Sequence, residues 1–114
     1  MNNQELLAQL YQFGKLPSDD KDDDFPLKEF DELLTQFTLP LDFETAVKLI
    51  NLSPPEGKGS CGVEWAIVHL VENYDSEQFQ KVLDCAEAGE VKKILQIRYD
   101  NYMKKHRAVQ QGGA

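Results

Sequence analysis

Cysteine and histidine are scarce, two of each in 114 residues. Cys61 and Cys85 are distant in sequence, and neither they nor His69 and His106 have the spacing of a zinc site, so no metal set is expected. A single long-range cysteine pair in a domain able to build an ordinary core predicts two reduced thiols rather than a staple. Long apolar runs are missing as well. No stretch approaches the roughly 20 apolar residues that a membrane helix needs, and Met1-Asn2-Asn3-Gln4-Glu5 lacks a basic signal-peptide region, which together predict a cytoplasmic protein with no membrane contact. Bases are outnumbered, 12 against 20 acids, leaving a net charge of −8. Such a field repels nucleic acid and attracts basic partners, so no nucleic-acid binding is expected.

What remains is enough for one core. The apolar share is 41% and the charged share 28%, which argues against a largely disordered chain. The expected organisation is a single helical domain over 1–109 and a flexible tail over 110–114, as a monomer or weak dimer. Charge is unevenly placed: residues 1–90 carry 19 acids and 6 bases, whereas residues 91–114 carry 1 acid and 6 bases. The body is acidic and the end is basic.

Apolar periodicity predicts six helices. Leu6, Leu7, Leu10 and Tyr11 recur at helical spacing over Asn3 to Phe13, with Gly14 where a left-handed cap would sit. The run Asp19, Asp20, Lys21, Asp22, Asp23, Asp24 reads as a solvated loop. Phe30, Leu33, Leu34 and Phe37 then form an i, i+3, i+4, i+7 stripe that opens near Pro26, uses Asp24 as cap or favourable charge, and ends at Pro40. Asp42 is placed to cap a third helix carrying Phe43, Ala46, Val47, Leu49 and Ile50, stopped by Ser53-Pro54-Pro55. Val63 to Val71 suits a buried strand or a buried helix by pattern; a helix is expected, because no second strand exists to pair with it. Asp75 and Gln78 resemble a capping box ahead of Phe79, Val82, Leu83 and Ala86, which end at Gly89. Val91, Ile94, Leu95, Tyr99, Tyr102 and Met103 mark the last helix, with Lys104, Lys105, His106 and Arg107 suited to its C-terminal dipole. The fold class is therefore all-α, a compact domain of about six helices in antiparallel pairs, with helices four and five as one hairpin.

Motifs that suggest chemistry stand in the wrong context. Gly57-Lys58-Gly59-Ser60-Cys61-Gly62 spells G-x-G-x-x-G, but a helix and Pro54-Pro55 precede it where a dinucleotide site needs a strand, so no cofactor is expected. Asp20, Asp22 and Asp24 alternate like the first ligands of a calcium loop, yet Phe25 stands where glycine is needed and Asp31 where a bidentate glutamate is needed. His69 follows Trp65 by four residues and precedes Glu72 by three, within reach of an imidazole–carboxylate contact on a helix. No sequence-placed nucleophile completes a catalytic set, so no catalytic residue is assigned and the protein is expected not to be an enzyme. Trp65 and His69 read as packing or as the polar edge of a binding groove.

The stretch Asp42 to Asp84 contains Ala46-Val47-Lys48-Leu49-Ile50, a proline-rich loop, Val63-Glu64-Trp65-Ala66-Ile67-Val68-His69-Leu70-Val71-Glu72, an aspartate-bearing turn and an amphipathic helix. It resembles the small HEAT-like immunity proteins of bacterial toxin systems, over about a third of the chain. The resemblance implies a cytoplasmic HEAT-like or irregular helical bundle that neutralises a cognate toxin domain, often a basic nuclease, by occluding it. An acidic body would speed encounter with a basic partner and buried aromatics would fix affinity. The expected partner surface comprises Asp19, Asp20, Asp22, Asp23 and Asp24 together with Glu64, Trp65, His69 and Glu72. A helical adaptor or regulatory subunit, and a small enzyme using His69 with Glu72 or Glu64, remain the alternatives.

Overall fold

The computed structural model describes residues 1–17, 24–60 and 62–112, with side chains described as far as Lys105. These residues form six helices and no strand: α1 (Asn3–Phe13), α2 (Leu27–Leu34), α3 (Phe43–Ile50), α4 (Val63–Val71), α5 (Phe79–Cys85) and α6 (Glu90–Gly112). The all-α expectation holds.

Local chemistry sets most of the boundaries. Asn2 and Glu5 form a reciprocal capping box at the start of α1, in which Asn2 Oδ1 accepts from the Glu5 N–H at 2.8 Å, satisfying a donor that the first turn cannot. Asp42 caps α3 as expected, accepting from the Thr45 N–H at 2.7 Å. Several expected boundaries differ. Gly14 has a positive φ of 90° but an extended ψ, so its N–H donates to Leu10 O without forming a left-handed cap. The cap position of α2 is Pro26 rather than Asp24, and the helix ends at Leu34, three residues before Phe37, which is buried all the same. Asp75 does not open α5. Its carboxylate accepts from the Glu77 N–H at 3.0 Å and its carbonyl from the Gln78 N–H at 3.1 Å, a tight turn that delays the helix to Phe79. The basic cluster is not at the end of α6, because the helix continues past Arg107 to Gly112 and its last turn holds no base; Ala108, Gln110 and Gln111 offer nothing to stop it. Within the expected tail, residues 113–114 lie outside the described residues.

Packing arranges these helices in two rows. The pairs α1–α2, α3–α4 and α5–α6 pack internally, while α1–α3–α5 form one row and α2–α4–α6 the other. Three consecutive helix pairs thus lie side by side, as in stacked helix-pair proteins. The expected α4–α5 hairpin is not a principal contact. Val63, Ile67, Val68 and Val71 leave α4 apolar on several sides, and a helix of that kind needs several neighbours; it finds them in α2, α3 and α6. One core joins the rows, with Leu6, Leu10, Phe30, Leu49, Ile67 and Leu83 fully buried. Phe13 and Phe25 flank Phe30 at ring-centroid distances of 6.3 and 5.8 Å, the tilted geometry that aromatic quadrupoles favour. The seam between α5 and α6 adds polar bonds to this packing: Gln80 and Gln96 exchange two amide hydrogen bonds, of 3.0 and 2.9 Å.

The last pair is locked onto α3 through the loop after it. Ser53 Oγ accepts from the Val91 N–H at 2.9 Å and Pro54 O from the Glu90 N–H at 3.0 Å, so the loop satisfies donors at the start of α6 that the helix itself leaves open. The radius of gyration, 15.1 Å, exceeds the roughly 13 Å of a round domain this long. The 23-residue α6 is about 35 Å long at helical rise, and the longest dimension of the molecule is 55 Å.

Candidate functional site

Among the described residues, exposed aromatic and charged groups gather where α4 and α6 meet. Trp65 is on the solvent side of α4 and remains 39% exposed, although a tryptophan on such an apolar helix has a large area to bury. Arg98 and His69 flank it. The Arg98 guanidinium, from α6, lies over the indole at 5.7 Å from the ring centroid, within cation–π range. Arg98 Nε also donates to Glu72 Oε2 at 2.5 Å, and this hydrogen bond together with the Glu72 charge raises the Arg98 pKa. On the other side of Glu72, His69 Nδ1 stands 3.4 Å from Oε1, and the His69 ring sits 6.1 Å from the Trp65 ring. The Asn73 amide anchors the end of α4 by donating to His69 O at 2.9 Å.

Two hollows border this group. One, of about 250 Å³, runs from Glu72 and Arg98 past Tyr74, Phe79, Tyr99 and Tyr102. The other, of about 290 Å³, lies between α2 and α4 beside Leu34, Ala66, His69 and Leu70. Tyr99 stacks on Phe79 at 5.0 Å with its hydroxyl donating to Ser76 O at 3.1 Å. Tyr102 and Ile97 extend the exposed apolar surface of α6. A further hollow, of about 340 Å³, between α1 and α3 holds one aromatic, Tyr11. Burial, and then the charge of Glu87, raise its phenol pKa, and the hydroxyl donates to Lys48 O at 2.7 Å.

The structure therefore brings Trp65, His69 and Glu72 together as sequence spacing suggested, and adds Arg98. Glu64 does not join them. It is 7% exposed at the start of α4, and its Oε1 accepts from the Ser60 N–H at 2.8 Å. Ser60 in turn donates its hydroxyl to Pro17 O, and Gly62 takes a left-handed φ of 88° to start the helix. The glycine-bearing loop thus serves to begin α4, and its Gly57 N–H donates to Glu90 Oε1 at 2.7 Å, so a carboxylate of the chain itself occupies that donor. Asp24 is exposed; Asp19, Asp20, Asp22 and Asp23 lie outside the described residues, as does the first member of the Cys61 and Cys85 pair. Arg98 was missed because nothing local distinguishes it: it lies 26 residues from Glu72 in a polar stretch, and only the α4–α6 contact gives it meaning.

Chemically, the cluster offers a large aromatic surface, a guanidinium, a carboxylate and an imidazole side by side at the solvent boundary. Glu72 is engaged by Arg98 at 2.5 Å more closely than by His69 at 3.4 Å, so the carboxylate orients the arginine first. Among the described residues no three histidine, cysteine or acidic side chains stand together as a metal site, and no helix is long and apolar enough to cross a membrane. In comparisons with protein-family models, curated proteins and solved structures, none matched the chain.

Proposed function

We propose that the chain is a non-enzymatic protein-binding domain, most concretely an immunity protein that neutralises a cognate bacterial toxin by covering it. The observation that carries this reading is the exposed Trp65 held under Arg98 on the α4–α6 face. Tryptophan, arginine and tyrosine are the residue types in which binding energy concentrates at protein interfaces, and here Tyr102 completes the set on the same hollow as Arg98. Two further features support this reading. The net charge of −8 favours encounter with a basic protein and disfavours nucleic acid. The three helix pairs lie side by side in two rows, and stacked helix pairs present the extended surfaces on which such proteins bind partners.

The test is capture from the extract of the native cells with the tagged chain as bait, at low and high salt. Recovery of one basic toxin domain, weakened by high salt and by replacing Asp22, Asp23 and Asp24 with asparagine, is the expected result. Recovery of a housekeeping complex in its place would instead make the chain an adaptor subunit.

A further inference from the structure

We infer that the hollow between the end of α4, the 74–78 turn and α6 is a receptor for an arginine side chain presented by the partner protein. This rests on the protein-binding reading and specifies what its surface recognises.

Three properties of the hollow select that occupant. Its walls are aromatic: Tyr74, Phe79, Tyr99 and Tyr102 line a space of about 250 Å³; Phe79 and Tyr99 are stacked on each other, so Tyr102, 49% exposed, is the ring best placed to attract a planar cation. Its rim is acidic. Glu72 lines it directly, and the turn that forms one side carries Asp75 and Glu77, both exposed; Arg98 is the one base in the lining and is already paired with Glu72. A backbone acceptor also faces this side, since Ser76 lines the hollow and its carbonyl takes the Tyr99 hydroxyl, leaving a second lone pair on that oxygen.

The chain itself provides a precedent for the chemistry. Arg98 lies over the Trp65 ring at 5.7 Å while donating to Glu72 at 2.5 Å, a guanidinium satisfied at once by an aromatic face and a carboxylate. Glu72 has two carboxylate oxygens, and Oε1 has only the long 3.4 Å contact with His69. Under this assignment an incoming guanidinium beside Tyr102 shares the Glu72 carboxylate with Arg98. A neutral or acidic side chain would gain neither the ring faces nor the rim charge, and would have to desolvate Glu72 without compensation. A lysine would gain the charge but not the planar stacking or the forked donors.

The measurement is residue-resolved NMR of the full chain titrated with three short peptides identical except for a central arginine, lysine or citrulline. Citrulline keeps the shape of arginine and removes its charge. The arginine peptide is expected to shift amides of 72–79 and 95–102, the lysine peptide to do so more weakly, and the citrulline peptide to leave them unmoved. Hydrogen bonds to charged groups correspond to at least about tenfold in affinity. Glu72→Gln and Tyr102→Ala should each weaken the arginine response by about that factor, while Glu44→Gln, which removes an equal charge on α3, should not. Equal responses to arginine and citrulline, shifts spread over the acidic surface, or no response in the hollow would each overturn the assignment. Because no partner is used, failure here leaves capture by the intact surface as a separate outcome; a captured toxin insensitive to Tyr102→Ala would retain the function and reject the arginine receptor.

Discussion

Gly89 lies directly against Ser53: a Cβ built on Gly89 would stand 2.9 Å from Ser53 Oγ and 3.2 Å from Pro54 O. That contact sets how closely the start of α6 approaches the loop after α3, and so fixes the α6 surface on which Arg98 is carried. Ser53 cannot move aside freely, because its hydroxyl accepts from the Val91 N–H and donates to Pro54 O. Gly89→Ala should therefore destabilise the protein by about 1–3 kcal/mol, as overpacking does. Chemical denaturation of the two proteins measures it directly.

Ser53→Ala removes the acceptor of a buried N–H and should lower stability by about 1–3 kcal/mol. Its removal also clears the closest atom from Gly89. The double variant Ser53→Ala, Gly89→Ala should then lose less than the sum of the single losses, by about 0.5 kcal/mol or more. Strict additivity in a double-mutant cycle would contradict the contact.

Glu64 illustrates how sequence and packing divide the information. Glu64 and Glu72 lie eight residues apart on the same α4 register, and nothing in the pattern separates them. Burial does: one begins the helix by accepting from Ser60, the other lies beyond its end in the exposed cluster. Glu64→Gln keeps a carbonyl acceptor and should stay within about 1 kcal/mol of the parent, whereas Glu64→Ala should lose about 1–3 kcal/mol. Thermal unfolding of the two variants would show the order; equal losses would mean that the hydrogen bond does not matter.

Asp42 gives the acid limb of stability. Hydrogen bonds from the Thr45 side chain and backbone hold its carboxyl below the ordinary value of 3.8. A carboxyl depressed in the folded state contributes fully above its unfolded value and loses that contribution as pH falls through the folded one. The stabilisation from this cap should hold at neutral pH and fade below about pH 3.8. Asp42→Asn retains a good cap but does not titrate, so its stability curve should be flatter than the parent's in that acid range. Parallel curves would remove Asp42 from the acid response.

Much of the framework was legible because it is written locally. The stripe Phe30, Leu33, Leu34, the cap at Asp42 and the stop at Ser53-Pro54-Pro55 each depend on residues within a few positions of one another, and each lies where expected. Phe37 was legible as core but not as helix, since burial follows from its apolar ring while the helix had already ended. The α4–α5 hairpin was misjudged because sequence adjacency does not report how many faces α4 must cover. The site was half visible. Spacing on one helix joins Trp65, His69 and Glu72, but Arg98 reaches Glu72 only across the α4–α6 packing.

The central claim is that Trp65 and its ion-pair frame are the working face of a binding protein. The most direct measurement is capture of the partner by the parent chain and by Trp65→Ala, with unfolding curves recorded beside it. Trp65→Ala should remain folded, because the buried residues behind it, Ile67 and Val68, are untouched. Loss of capture by this folded variant, with retention by Tyr11→Phe on the α1–α3 side, is the predicted result; undiminished capture by folded Trp65→Ala would contradict the account.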